Sequence, residues 1–139
     1  MITGKKGLGK FTFINHFLYY VFDKNNYDFN NKIIDNETLL YKKIIAETFA
    51  NIITLSNDKL KVKIDDIRIL KSILTKTILN DSPRFIILDN IEIYNQNSLN
   101  ALLKVIEEPS GNNYFFLINN CEKPILETIK SRCLETKIF

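Results

Sequence analysis

The stretch Arg84-Phe85-Ile86-Ile87-Leu88-Asp89 constrains the fold of this chain more than any other. Side chains of a strand alternate between the faces of a sheet, so four consecutive apolar residues bury both faces. Such a strand belongs inside a parallel sheet with helices on each side. Residues 114–118 repeat the pattern, wholly apolar and ending on Asn119-Asn120. Helical spacing alternates with these strands. Residues 11–22 read as an apolar, aromatic-rich helix. Asn36 is placed to cap a second helix reaching about residue 51, with Leu39, Leu40, Ile44, Ile45 and Phe49 on one face. Asp65 is placed to cap a third, carrying Ile67, Leu70, Ile73 and Leu74. Residues 95–107 turn Leu99, Leu102, Leu103 and Ile106 inward, with Pro109 just beyond, and Pro124 opens a short helix through Ser131. Residues 52–55 and 135–139 read as further strands, residues 56–58 and 80–83 as turns, and residues 23–36 as a loop. The alternation predicts an α/β domain with a parallel sheet flanked by helices, and no boundary divides residues 1–139.

Composition removes several classes of function. Of 139 residues, 45% are hydrophobic and 25% charged, a balance suited to one globular domain. The net charge of +3 is dispersed, too weak and too scattered to argue direct nucleic-acid binding. Cys121 and Cys133 form no C-x-x-C pair, which argues against a disulfide framework or zinc site and for a reducing compartment. No apolar run approaches the length of a membrane span, and no basic-then-apolar leader opens the chain.

Gly4, Gly7, Gly9 and Lys10 stand at the spacing G-x-x-x-x-G-K with an extra glycine inside. Glycines let successive backbone N–H groups turn toward a phosphate, and the following helix points its positive end at the same place. The lysine adds a mobile cation for the outer phosphates. A hydroxyl that holds magnesium normally follows. Phe11 occupies that position, and Thr12 lies about 100° further round the helix. The spacing therefore fits phosphate binding better than magnesium-dependent hydrolysis. The competing reading is a flexible Gly/Lys-rich terminus.

Asp89 ends the apolar strand where ligands bind in open α/β sheets. Two readings stand for it: a magnesium partner, or the first residue of a turn. Asn90 follows, and a neutral amide cannot take a proton from an attacking water. His16, in an aromatic helix, reads as structural, and Lys104, Glu107 and Glu108 read as a solvated face and a helix end.

Three segments together resemble the clamp-loader subunits of the AAA+ class: residues 89–109, with Asn100-Ala101-Leu102-Leu103-Lys104 and Glu107-Glu108-Pro109; Thr128-Ile129-Lys130-Ser131-Arg132-Cys133; and Ile64-Asp65-Asp66-Ile67-Arg68. The resemblance covers nearly the whole chain. It implies a P-loop core of three layers whose first strand is largely missing, because only Met1-Ile2-Thr3 precede the loop. It also implies absent lid and collar domains, so the chain is expected to be an incomplete core. Phe11 and Asn90 point within the family to the delta-prime kind of subunit of DNA polymerase III. The alternative is an ATP-hydrolysing motor subunit or another P-loop ATPase.

The resemblance implies roles residue by residue. Arg132 would be an arginine finger acting in the neighbouring subunit's site. Gly4, Gly7, Gly9, Lys10, Thr12 and Asp89 would border bound ATP, held weakly, with magnesium doubtful. Asn120 would be the polar sensor after the strand, or a turn residue only. The implied partners are other clamp-loader subunits in a five-membered ring, the sliding clamp and primed DNA reached through the complex, in a bacterial cytoplasm.

Overall fold

In a computed structural model of the chain, residues 1–56, 62–76, 82–109 and 111–139 are described. Of the turns expected from sequence, residues 57–58 and 80–81 lie outside the described residues. The main elements are β1 (Ile2–Thr3), α1 (Lys10–Phe22), β2 (Tyr27–Asp28), β3 (Ile33–Ile34), α2 (Leu39–Ile45), β4 (Ile52–Leu55), α3 (Ile64–Leu74), β5 (Arg84–Leu88), α4 (Gln96–Glu107), β6 (Asn113–Asn119), α5 (Glu127–Lys130) and β7 (Thr136–Lys137). A five-stranded sheet runs β4-β5-β6-β1-β7, and every pairing in it is parallel.

The sheet's two faces follow from the alternation in β5. Phe85 and Ile87 join Ile14, Leu18 and Ile118 on the α1 side. Ile86 and Leu88 join Leu70, Leu102, Leu117 and Ile129 on the side covered by α3, α4 and α5. All five residues of β5 are buried, as a strand covered on both faces requires. Helix α1 buries Ile14, Leu18 and Tyr19, one stripe of a helix. Phe17 meets Phe85 and Phe116 edge-on, with ring centroids 5.7 and 5.5 Å apart. Helix α4 starts at Asn95, whose side-chain oxygen accepts from Ser98 N–H at 2.9 Å, and inserts Leu99, Leu102 and Val105.

The short β1 is interior despite its length. Ile2 pairs with Ile118 on one side and Thr136 on the other, and Ile138 N–H donates to Thr3 O at 2.8 Å. The loop that follows β1 therefore emerges beside the carboxyl ends of β6 and β5.

Several expectations change, and α5 starts at Glu127, three residues beyond Pro124. The second helix is capped by Thr38, whose Oγ1 accepts from Tyr41 N–H at 3.1 Å, and ends at Ile45. Left-handed Glu47 (φ 54) stops it short of residue 51, and none of its residues is buried. Residues 27–34 hold a small antiparallel hairpin inside the expected loop, tied by Asp28, whose carboxylate accepts from Asn30 and Asn31 N–H at 3.0 Å each. The third helix starts after Lys63, whose N–H donates to Asp66 Oδ2 at 2.7 Å, so Asp66 performs the capping expected of Asp65.

Candidate functional site

The parallel sheet brings three loop ends to one edge. Gly7, Gly9, Lys10 and Thr12 after β1, Asp89 and Asn90 after β5, and Asn120 after β6 line one cleft of about 310 Å3, with Lys6, Phe11 and Ile118. Gly7 (φ 91) and Gly9 (φ 74) adopt the left-handed backbone that wraps the loop, a conformation that costs glycine nothing and most residues strain. Gly4 serves differently. It leaves β1 with its N–H donated to Asn119 O at 3.1 Å, and a Cβ there would sit 2.6 Å from Ile138 O. Gly4 therefore sets the close approach of loop and sheet without lining the cleft.

Lys10 is buried, only 3% exposed, and its ammonium donates to Gly4 O and Lys5 O at 2.7 Å each. An ammonium carries three donors, so one remains for an anion in the cleft. Helix α1 begins at this lysine, and its first N–H groups add a positive end at the same place. Phe11 borders the cleft where a hydroxyl would hold magnesium.

Asn90 is left-handed (φ 52) and turned back on Asp89, donating its N–H to Asp89 Oδ1 at 2.9 Å. Asn120 Nδ2 donates to Asn90 Oδ1, so the side chains after β5 and β6 are joined across the cleft. Behind them lies Glu92, 6% exposed, whose Oε1 accepts Asn120 N–H at 2.9 Å. Its other oxygen is buried without a partner among the described residues. Glu92 does not line the cleft. Its support of Asn120 was missed, because the left-handed turn at Asn90 starts a 3₁₀ turn that swings Glu92 inward.

Arg132 lies elsewhere, just past α5. Its Nη1 donates to Thr128 O at 2.7 Å, and Nη2 stands 2.5 Å from Glu107 Oε1, with both side chains partly exposed. It does not line the cleft beside Lys10. Cys133, beside it, is partly covered, and burial raises its thiol's pKa. His16 pairs with the Tyr27 hydroxyl at 3.1 Å. Among the described residues no three His, Cys, Asp or Glu side chains gather as a metal site, and no helix is long and apolar enough to cross a membrane.

One surface was not visible in the linear charge pattern. Helices α3 and α4 bring Arg68, Lys71 and Lys104 to one groove of about 360 Å3, with Asn97 and Asn100. The sequence signal was the i, i+3 pair Arg68 and Lys71, which stacks two cations on one helix face.

A glycine-wrapped loop running into a helix, with an acid and a polar side chain at neighbouring strand ends, defines a P-loop core. The family model described as DNA polymerase III, delta subunit, matches residues 1–138, and the chain belongs to that family. It is 36% identical over 74 residues to the DNA polymerase III subunit delta' of Pseudomonas aeruginosa, covering 53% of this chain and 23% of that protein. It is 36% identical over 81 residues to the delta' subunit of Buchnera aphidicola subsp. Schizaphis graminum, covering 58% and 25%. A DNA polymerase III subunit gamma from the same Buchnera matches at 31% over 78 residues, covering 56% of this chain and 22% of that protein. The chain thus spans about a quarter of the curated relatives it matches. A crystal structure of a DNA polymerase III gamma subunit-related protein from Thermotoga maritima superposes with a TM-score of 0.68 at 19% identity, over 100% of this chain and 40% of that one, a likeness of fold.

Proposed function

We propose that this chain is the P-loop core of a delta-prime-like clamp-loader subunit that holds nucleotide weakly, does not hydrolyse it, and supplies Arg132 to a neighbouring subunit's site. The observation that carries the reading is a division of parts. The chain's own cleft keeps the groups that grip phosphate and lacks the two that drive hydrolysis, while an accessible arginine stands outside that cleft.

The loop fits a phosphate: glycine backbone, helix N-terminus and the third hydrogen of Lys10 all serve an anion. The site fits a catalytic magnesium poorly, because Phe11 offers no ligand beside Lys10 where a hydroxyl would stand. Asn90 is an amide tied to Asn120, and an amide cannot take a proton from an attacking water. Arg132 suits a trans role because a guanidinium is always charged and forks onto phosphate oxygens. The partners in this reading are the ATP-hydrolysing subunits of a bacterial loader, its sliding clamp, and primed DNA reached through the ring. The groove with Arg68, Lys71 and Lys104 is the face whose charge suits a phosphate backbone.

The test is ATP turnover by a loader reconstituted with the polypeptide that carries this chain, on clamp and primed DNA, after equal assembly is verified. Arg132→Ala is expected to lower turnover by about tenfold or more, a modest share of the roughly 10³–10⁵ a trans arginine contributes at its own site. Unchanged turnover sinks the trans role. Magnesium-dependent hydrolysis by the isolated polypeptide, abolished by Lys10→Ala, would support the motor reading instead.

A further inference from the structure

The last residue of α4, Glu107, holds the guanidinium of Arg132. Nη2 stands 2.5 Å from Glu107 Oε1, while Nη1 donates to Thr128 O at 2.7 Å and Ser131 Oγ at 3.4 Å. These contacts use three of the five N–H donors of the side chain and leave one on Nε and one on Nη2. The position of the acid is electrostatically unfavourable by itself. A carboxylate at a helix C-terminus faces the negative end of the helix dipole, and Glu108 adds a second acid beside it. Helix stability therefore gives no reason for Glu107, whereas a cation that must be aimed gives one. A free arginine side chain also loses about 2 kcal/mol of rotamer entropy when it docks on a phosphate. An arginine already fixed by Glu107 and the Thr128 carbonyl has lost most of it beforehand.

We infer that Glu107 is a positioning residue for Arg132: it holds the guanidinium at the end of α5 with Nε and one Nη2 hydrogen free for a neighbour's nucleotide. The inference rests on the trans role proposed for Arg132 and adds the residue that aims it. It gives the acid at the end of α4 a function in the neighbouring subunit's site.

The experiment measures ATP turnover and its KM in the reconstituted loader for Glu107→Ala, Glu107→Gln, Arg132→Ala and the double variant Glu107→Ala/Arg132→Ala. Equal assembly and unchanged melting temperature are checked first, since those are what a merely structural role would move. Glu107→Ala is expected to lower kcat about three- to fivefold with KM little changed, the size a partly exposed ion pair can supply. Glu107→Gln, which keeps an acceptor oxygen, should fall between Glu107→Ala and the parent. In the Arg132→Ala background, Glu107→Ala should cost nothing more. A further loss in that background, an unchanged kcat for Glu107→Ala alone, or a raised kcat from release of a competing carboxylate each overturns the inference while Arg132 keeps its role. An Arg132→Ala loader with full turnover overturns both.

Discussion

At the scale of single residues, side chains from distant segments meet at a few buried polar contacts. Arg84 heads β5 yet is 6% exposed, and it caps α3 by donating to Ile73 O at 3.0 Å and Lys76 O at 3.3 Å. A cation at a helix C-terminus is favourable, although burial lowers the guanidinium's pKa. Arg84→Ala removes charged hydrogen bonds to two carbonyls, of which Ile73 O keeps the Lys76 N–H at 3.1 Å, and is expected to cost about 1.5–3 kcal/mol in urea unfolding. An exposed, contact-free arginine would give less than about 0.5 kcal/mol. The two cysteines make a second residue-scale prediction. Cys121 is exposed, while Cys133 is partly covered and its thiol is pushed up by burial. Iodoacetamide at neutral pH should therefore modify Cys121 well before Cys133, as read by mass spectrometry of the two peptides. Neither contrast was visible in the sequence, where an arginine before an apolar run and two scattered cysteines carry no mark of burial.

At the scale of elements, local chemistry sets boundaries and packing sets which faces are used. The small hairpin depends on one carboxylate. Hydrogen bonds from the Asn31 backbone and side chain, then from Asn30, hold the pKa of Asp28 below the usual 3.8. A depressed carboxyl contributes stability that is full above the unfolded-state value and is lost as pH falls through the folded one. The hairpin amides, followed by hydrogen exchange, should thus keep their protection down to about pH 4 and lose it below. Asp28→Asn should remove that pH dependence. At β1 the constraint is steric: a Cβ on Gly4 would meet Ile138 O at 2.6 Å, a backbone atom that cannot step aside cheaply. Gly4→Ala is expected to loosen β7 from β1, and the amide of Ile138, bonded to Thr3 O, should exchange faster. The sequence showed that these glycines serve a loop. It did not show that Gly4 works against β7 rather than against a ligand, because that neighbour is 134 residues away along the chain.

At the scale of the whole molecule, the sheet and its helical covers were legible because two all-apolar strands admit few arrangements. Phe85 through Leu88 alternate faces as expected, and α4 is capped by Asn95 and ends before Pro109. The extent of the second helix was not legible. Leu39, Ile44, Ile45 and Phe49 have helical spacing, but left-handed Glu47 breaks the run and the helix buries nothing. The cleft was legible as a motif, since Gly7, Gly9, Lys10, Thr12, Asp89 and Asn120 do line one space. Its internal wiring was not, because the Asn90–Asn120 link and the Glu92 support join residues about thirty positions apart through the sheet. The pairing of Arg132 with Glu107 belongs to the same class of information. Two helix ends that the sequence reads as a solvated acid and a motif arginine are neighbours only once β6 has run between them.

The central claim is that this core keeps a phosphate grip it does not use for hydrolysis and works through an arginine in another subunit's site. The most direct measurement compares Lys10→Ala with Arg132→Ala for ATP turnover in the same reconstituted loader on clamp and primed DNA. The account predicts that Lys10→Ala stays within about twofold of the parent while Arg132→Ala falls about tenfold or more. The opposite pattern, with turnover lost on removing Lys10 and kept on removing Arg132, would make this chain a motor and contradict the account.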